Sequence, residues 1–369
     1  MEQFEYMLPH RSYVLSRLGT SHDFDGRKFL RACRTRMTEG RFGTEGGVWQ
    51  LEIHPTNYCS LNCTGCSYGN RHDSSALRPE TVRSIVNYYV SSGVRSVFIS
   101  GGGDPAFWNG WVPVFGELDC SQFDLGVATS LSSLSQIGRV INRIRYFQIH
   151  VVGFDRESVM RETGRDFFER IRRNLERLFE VSNSQQQITL KVLVKDSNAE
   201  FLSRFLDFVA EFPAMSVVLK LQQNFLVNKK EVSRDTILKV RGVIESHEAT
   251  YRYPLRIDNL DTAPKEPVPG VEPTCIFPRT GMYRLVRPDG LIYPCVAAPY
   301  SKRNAVRAAR LQLEVPFSHP VPKPEITVSK CPREACRHHL LSQFLEEALL
   351  LNPGMDDELF PPEYTPSLL

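Results

Sequence analysis

Three cysteines, Cys59, Cys63 and Cys66, stand within eight residues, spaced by three and then two intervening positions. Thiolates are metal ligands, so the spacing decides which metal. Structural zinc sites read as paired CxxC motifs with the second pair some way off. Three crowded thiols without a fourth nearby instead suit a cubane [4Fe–4S] cluster, which normally takes four thiolates. One iron is then left open to a ligand that is not protein. A redox or zinc knuckle is the alternative that spacing alone leaves standing.

The stretch His54-Pro-Thr-Asn-Tyr-Cys59-Ser-Leu-Asn-Cys63-Thr-Gly-Cys66-Ser-Tyr68 resembles the CxxxCxxC signature of the radical S-adenosylmethionine (radical SAM) enzymes. The resemblance implies that the amino and carboxylate groups of SAM chelate the open iron. An electron passing into the sulfonium then releases methionine and a 5′-deoxyadenosyl radical, which removes hydrogen from an unactivated C–H. The cofactor carries that chemistry, and the protein orients it and excludes solvent.

Further matches follow from the same resemblance. Gly101-Gly102-Gly103-Asp104 resembles the family's GGE motif, which contacts the SAM amino group, with the shorter Asp replacing Glu. Glycines there let backbone approach a ligand closely. Ile149-His150-Val151-Val152-Gly153 resembles a segment reading Ser-x-Asp-Gly in relatives, so His150 takes the place of a serine that meets the SAM ribose. A lone strand histidine is otherwise a satisfied core residue. Ser130 lies where relatives have a polar SAM or substrate contact. The residue before the third cysteine is usually aromatic and packs near the adenine. Here it is Gly65, and Tyr68 is the candidate substitute.

A second thiol group comprises Cys275, Cys295, Cys331 and Cys336. Cys275, Gly290 and Cys295 form a CX14GX4C pattern resembling the opening of SPASM and Twitch auxiliary-cluster domains. With only Cys331 and Cys336 beyond it, the resemblance implies one auxiliary [4Fe–4S] cluster. Four thiolates would close that site and favour electron transfer; without Cys336 the auxiliary iron is open to substrate. Zinc in a four-cysteine knuckle, or a His338 or His339 ligand, are the alternatives. Cys33 and Cys120 are left over. Free cysteines are mostly buried small hydrophobes, and Cys120 precedes a strand, at the barrel end away from the chemistry.

The elements that would position these residues alternate between two periodicities. Strand patterns fall at Val48–Ile53, Val94–Ser100, Phe123–Thr129, Tyr146–Val152, Ile188–Val194 and Val217–Leu221. Helix patterns fall at Pro79–Ser91, near Ser130–Ser135, at Arg165–Glu180, at Ala199–Phe212 with Asn198 as cap, and at Ser233–His247. Strand–helix units at this spacing imply a parallel sheet with right-handed crossovers. Strand count and resemblance together give an α/β fold, a partial (β/α)6 TIM-like parallel barrel with a small C-terminal iron–sulfur (Twitch/SPASM-like) domain. Chemistry in such barrels sits at the C-terminal strand ends, where the cysteine loop follows the first strand.

The division is an N-terminal segment 1–47, a barrel 48–261, a linker 262–273 broken by Pro264, Pro267, Pro269 and Pro273, an auxiliary domain 274–352 and a tail 353–369. Arg287-Pro-Asp-Gly290 reads as a hairpin turn between Met282–Val286 and Leu291–Pro294. A last helix covers Leu340–Leu351.

A net charge of +3 in 369 residues is too mild to argue for nucleic acid. No membrane span or secretory signal is expected. Nine cysteines without such a signal point to a reducing cytoplasm and to metal rather than disulfides. The expected partners are a peptide or small-molecule substrate and a flavodoxin- or ferredoxin-type reductant. Relatives with auxiliary clusters oxidise peptides or dehydrogenate sugar alcohols. The expected function is oxidative tailoring of a peptide natural product. Dehydrogenation or epimerisation of a sugar, aminocyclitol or other small molecule, and a non-catalytic iron–sulfur carrier, are the alternatives. Residues 1–47 are short for a leader-peptide-binding module.

Overall fold

A computed structural model describes residues 48, 50–66, 68, 73–94, 96–214, 216–222, 232–247, 255–258, 283–293, 306–307, 309–310 and 325–326. The N-terminal segment, the proline-rich linker, Cys33, Cys275, Cys295, Cys331, Cys336 and the last predicted helix lie outside the described residues.

Seven strands run in parallel: β1 (Gln50–Ile53), β2 (Ser96–Ile99), β3 (Asp124–Thr129), β4 (Tyr146–Val151), β5 (Gln187–Val194), β6 (Ser216–Leu221) and β7 (Leu255–Asp258). Each pairs with the next in sequence order. Helices α1 (Pro79–Ser91), α2 (Trp111–Phe115), α3 (Arg156–Thr163), α4 (Phe168–Val181), α5 (Leu202–Ala210) and α6 (Arg234–His247) connect them. Beyond lie β8 (Tyr283–Val286) and β9 (Leu291–Tyr293), an antiparallel hairpin closed by Gly290 at φ +73°. β8 also pairs in parallel with β1, Leu285 opposite Glu52. The hairpin that sequence assigns to the auxiliary domain therefore extends the barrel sheet.

Register fixes two faces. Leu51, Ile53, Val97, Ile99, Leu125 and Val127 are almost wholly buried and alternate with residues of the opposite face. Each such side chain contributes about 1.5–3 kcal/mol on burial. On the helical side the apolar stripes answer them: Val82, Ile85 and Val86 on α1, Ile171, Leu175 and Leu178 on α4. The other face reads differently. Following register from β1 to β6, Glu52, His150, Lys191 and Lys220 share it. Charged residues stand on this face among Phe98, Gly126 and Tyr146, whereas the opposite face is apolar.

Several expectations are corrected. Ser130–Ser135 is not a helix start; only short turns at Ile137–Arg139 and Ile141–Arg143 follow. Local bonds take the backbone elsewhere: Leu131 N donates to Thr129 Oγ1, and Leu131 adopts φ +54°. The helix predicted over Arg165–Glu180 begins at Phe168. Before it lies α3, which the periodicity missed because it is short and polar. Its start is a capping box, in which Asp155 Oδ1 accepts from Ser158 N and Ser158 Oγ bonds back to the Asp155 N–H. Asn198 does not cap the following helix. Its Oδ1 accepts from Lys195 N and its Nδ2 donates to Leu193 O, closing the end of β5. The helix there opens as a 3-10 turn, Ala199–Phe201. β7 was not anticipated.

Candidate active site

β1 ends at Ile53 and delivers the chain directly into the cysteine loop. The loop is held from two sides. On one side the glycine run after β2 is stitched to it: Gly103 N donates to Thr56 O at 3.0 Å, and Asp104 N to Tyr58 O at 2.9 Å. A Cβ on Gly103 would stand 2.0 Å from Tyr58 O, and one on Gly102 2.7 Å from Asn57 Oδ1. Glycine is required because the two loops touch, a more immediate reason than approach of a ligand.

Asp104 is buried, and its carboxylate is fully engaged. Oδ1 accepts from Ala106 N and Thr129 Oγ1 at 3.0 and 2.7 Å; Oδ2 accepts from Ser130 N at 3.1 Å and from Ser130 Oγ. The side chain thus ties the glycine run to the end of β3, and Ser130 serves the same bracket. Ser132 continues it, meeting Ser130 Oγ at 3.2 Å and Ser60 Oγ of the cysteine loop at 3.3 Å.

On the other side the end of β5 and α3 grip the loop. Asn62 N donates to Thr163 O and Thr64 N to Glu162 O, at 3.0 and 2.8 Å. Thr64 Oγ1 donates to Glu162 Oε2 at 2.7 Å, and Lys195 Nζ bonds both Thr64 Oγ1 and the Glu162 carboxylate. Lys195 and Glu162 are buried. Gly65 lies against this grip. A Cβ there would stand 2.4 Å from Leu193 Cδ2. Leu193 fills the space next to the loop that an aromatic residue before Cys66 would need.

Cys59, Cys63 and Cys66 are all partly buried. Burial first, then Asp104 and Cys66, pushes the Cys59 thiol up to about 12. Burial, then Cys59, Cys66 and Asp104, pushes Cys63 up to about 12 against the opposing charge of Lys195. Thiolates held in such a buried place would be stabilised by a cationic centre. No three potential ligands among the described residues converge on one metal ion. Three thiols on one short loop are the ligands that a cubane with one open iron would take, whereas a structural zinc would need a fourth. The donor set fits a cubane with one iron left open.

Tyr68 comes back under the loop, its ring edge-on to His54 with centroids 5.6 Å apart. His150 stands on β4 opposite Lys191. Burial, then Lys191 and Lys220, pushes its imidazole well below the usual histidine range, so the ring is neutral. Lys191 Nζ also donates to Gln148 Oε1 at 3.1 Å. Sequence reasoning passed over Lys191, Lys195 and Lys220. The available signal was lysine inside otherwise apolar strands, Ile-Thr-Leu-Lys191-Val-Leu-Val-Lys195 and Val-Val-Leu-Lys220-Leu. Cys120 stands immediately before β3, at the opposite end of the sheet from the cysteine loop.

Residues 53–203 match the Radical SAM superfamily profile. A GTP 3′,8-cyclase from Vibrio parahaemolyticus is 24% identical over 185 residues, covering 47% of this chain and 54% of that protein. The matched stretch thus spans about half of that relative's length. Among solved structures, Streptococcus suis SuiB bound to the precursor peptide SuiA superposes with a TM-score of 0.56 at 15% identity, covering 86% of this chain and 69% of the other. The enzyme anSMEcpe with bound AdoMet gives 0.53 at 15% identity, covering 84% and 99%. At such identities the structural likeness speaks for the fold, a mostly parallel α/β sheet of the radical SAM TIM-like kind. Among the described residues no helix is long and apolar enough to cross a membrane.

Proposed function

We propose that this chain is a radical SAM oxidoreductase that removes hydrogen from an unactivated C–H and oxidatively modifies its substrate, in the maturation of a peptide natural product. The observation that carries the radical SAM part is the meeting of the cysteine loop and the glycine run at the C-terminal end of β1 and β2. Cys59, Cys63 and Cys66 would hold a [4Fe–4S] cluster with one iron left for SAM, and that group would supply reductive cleavage of the sulfonium with one electron from the reductant. The chain's own residues do the rest. The Asp104–Ser130 bracket fixes the glycine backbone against the cysteine loop. Neutral His150 offers a hydrogen bond to a sugar hydroxyl. Lys191 and Lys220 provide a positive field for a carboxylate. Tyr68 offers an aromatic face beside the glycine run, its ring 3.9 Å from where a Cβ on Gly102 would stand.

Support for a peptide substrate comes from the fold shared with SuiB, which was solved with its precursor peptide. Oxidation would use an auxiliary [4Fe–4S] cluster on Cys275, Cys295, Cys331 and Cys336, with a flavodoxin- or ferredoxin-type protein as electron donor. A second reading is a small anionic molecule, favoured by the Lys191–His150–Lys220 row and by curated relatives that are GTP 3′,8-cyclases. The experiment is iron and sulfide content after anaerobic reconstitution of wild type and a Cys59→Ala/Cys63→Ala/Cys66→Ala variant. About eight irons falling to about four supports two cubanes and oxidative chemistry. About four falling to none removes the auxiliary cluster and moves redox-neutral chemistry such as epimerisation ahead. An iron content unchanged by the triple variant refutes the assignment.

A further inference from the structure

On the polar face of the sheet, directly under the cysteine loop, four side chains from three adjacent strands form one buried cluster. Glu52 of β1 is its centre. Its Oε1 meets His54 Nε2 at 2.9 Å and accepts from Ser100 Oγ; its Oε2 accepts from Tyr283 Oη of β8. Burial pushes the Glu52 carboxyl up, but His54, Ser100 and Tyr283 together outweigh it and hold it below its ordinary value. An ionised carboxylate can only accept, so the bond to His54 places the ring proton on Nε2. In the Nε2–H tautomer Nδ1 is a hydrogen-bond acceptor.

That Nδ1 is buried, and no hydrogen-bond partner reaches it. His54 is 0% exposed. A buried polar atom without a partner costs about 1–3 kcal/mol, and a fold that carries one beside a candidate active site invites a functional explanation. The ring is fixed on both sides, by Glu52 at Nε2 and by the edge-on Tyr68, two residues past Cys66. The buried, unpartnered Nδ1 therefore stands one aromatic ring away from the cysteine loop.

We propose that Glu52, His54, Ser100 and Tyr283 form a preformed substrate anchor in which His54 Nδ1 accepts a hydrogen bond from an O–H or N–H group of the substrate. The negative charge of Glu52 behind the ring favours neutral or cationic donor groups, an amide, hydroxyl or ammonium, over phosphate or carboxylate. The anchor rests on the radical SAM reading and deepens it by naming the chemistry of the substrate group nearest the cluster.

The test uses the reconstituted full chain, with pooled N-acetylated, C-amidated tripeptides as the probe. Two readouts are taken, the melting temperature and the stimulation of 5′-deoxyadenosine formation by the pool. In His54→Phe the stimulation falls about tenfold, the rate equivalent of about 1.4 kcal/mol, while the melting temperature stays within about 4 °C of wild type. His54→Asn, which restores an acceptor near Nδ1, recovers part of the stimulation. A His54→Phe protein stimulated as wild type is, or one that melts more than about 4 °C lower, overturns the proposal. If the pool does not stimulate wild type, the peptide reading falls and the anchor is decided by melting alone. Then the all-apolar Glu52→Leu/His54→Phe/Ser100→Ala/Tyr283→Phe variant should melt at or above wild type, because it removes a buried charge and an unpaired acceptor together. A melting temperature below wild type by more than about 4 °C shows that the cluster serves the fold and overturns the anchor.

Discussion

Lys195 Nζ donates to Thr64 Oγ1 at 2.6 Å, joining the end of β5 to the residue after Cys63 across 131 positions of sequence. The same ammonium pairs with Glu162, whose backbone and side chain also hold Thr64. The loop that carries the thiols is thus clamped by a buried ion pair that contains none of them.

Breaking one half of that pair leaves a buried charge without its partner. Lys195→Met should cost about 3–5 kcal/mol, whereas Lys195→Met/Glu162→Leu should recover most of it. Chemical denaturation of the two variants against wild type checks this. Equal losses in both would show that the pair is not coupled.

Gly65 and Leu193 should behave as a couple. Gly65→Ala brings a Cβ to the place where Leu193 Cδ2 stands 2.4 Å away, and overpacking of this kind costs about 1–3 kcal/mol. Leu193→Ala in the same chain should restore the lost stability and iron occupancy. A double-mutant cycle measures the coupling; strict additivity would contradict the packing described.

Gly103→Ala has no such remedy, because the clash is with backbone, Tyr58 O at 2.0 Å. It should separate the glycine run from the cysteine loop and reduce reconstituted iron several-fold. Gly93→Ala is the control. Gly93 has φ +98° with nothing within 4 Å, so that substitution costs about 1 kcal/mol of backbone strain and leaves iron content unchanged.

The thiols give a pH dependence whose sign follows from their shift. Cys59 and Cys63 are raised from 9.0 to about 12 in the folded, metal-free protein. A raised group contributes stability below its unfolded value and loses it as pH climbs through its folded value. Metal-free protein should therefore lose stability between about pH 9 and pH 12, and the Cys59→Ala/Cys63→Ala variant should lose less. Binding iron releases the thiol protons, so reconstitution should be more complete at pH 9 than at pH 7. Denaturation and iron assays across that range decide both.

Much of the framework was legible because its signals are local. Pro79 at the first helical position and Gly93 at φ +98° just beyond the end bound α1 at Pro79–Ser91 as the sequence predicts. The β1–β6 strands fall within two residues of their apolar runs. The cysteine spacing needs no structure to be seen. What escaped depends on contacts distant in sequence. Gly65 looks like a departure until Leu193 is seen against it. The four protein donors on Asp104 are not visible in its motif. Ser130 and Asn198 carry helix-start signals, but their side chains bond other segments. Glu52 and His54 gave no signal, since a charged residue in a short strand reads as an exposed one until β2 and β8 are placed on either side.

The most direct test of the account is anaerobic incubation of the reconstituted protein with SAM and dithionite, assayed for 5′-deoxyadenosine and methionine. Wild type should form both in equal amounts, and the Cys59→Ala/Cys63→Ala/Cys66→Ala variant should form neither. Wild type loaded with iron and sulfide that still leaves SAM intact, with and without the peptide pool, would contradict the central claim and favour an iron–sulfur carrier.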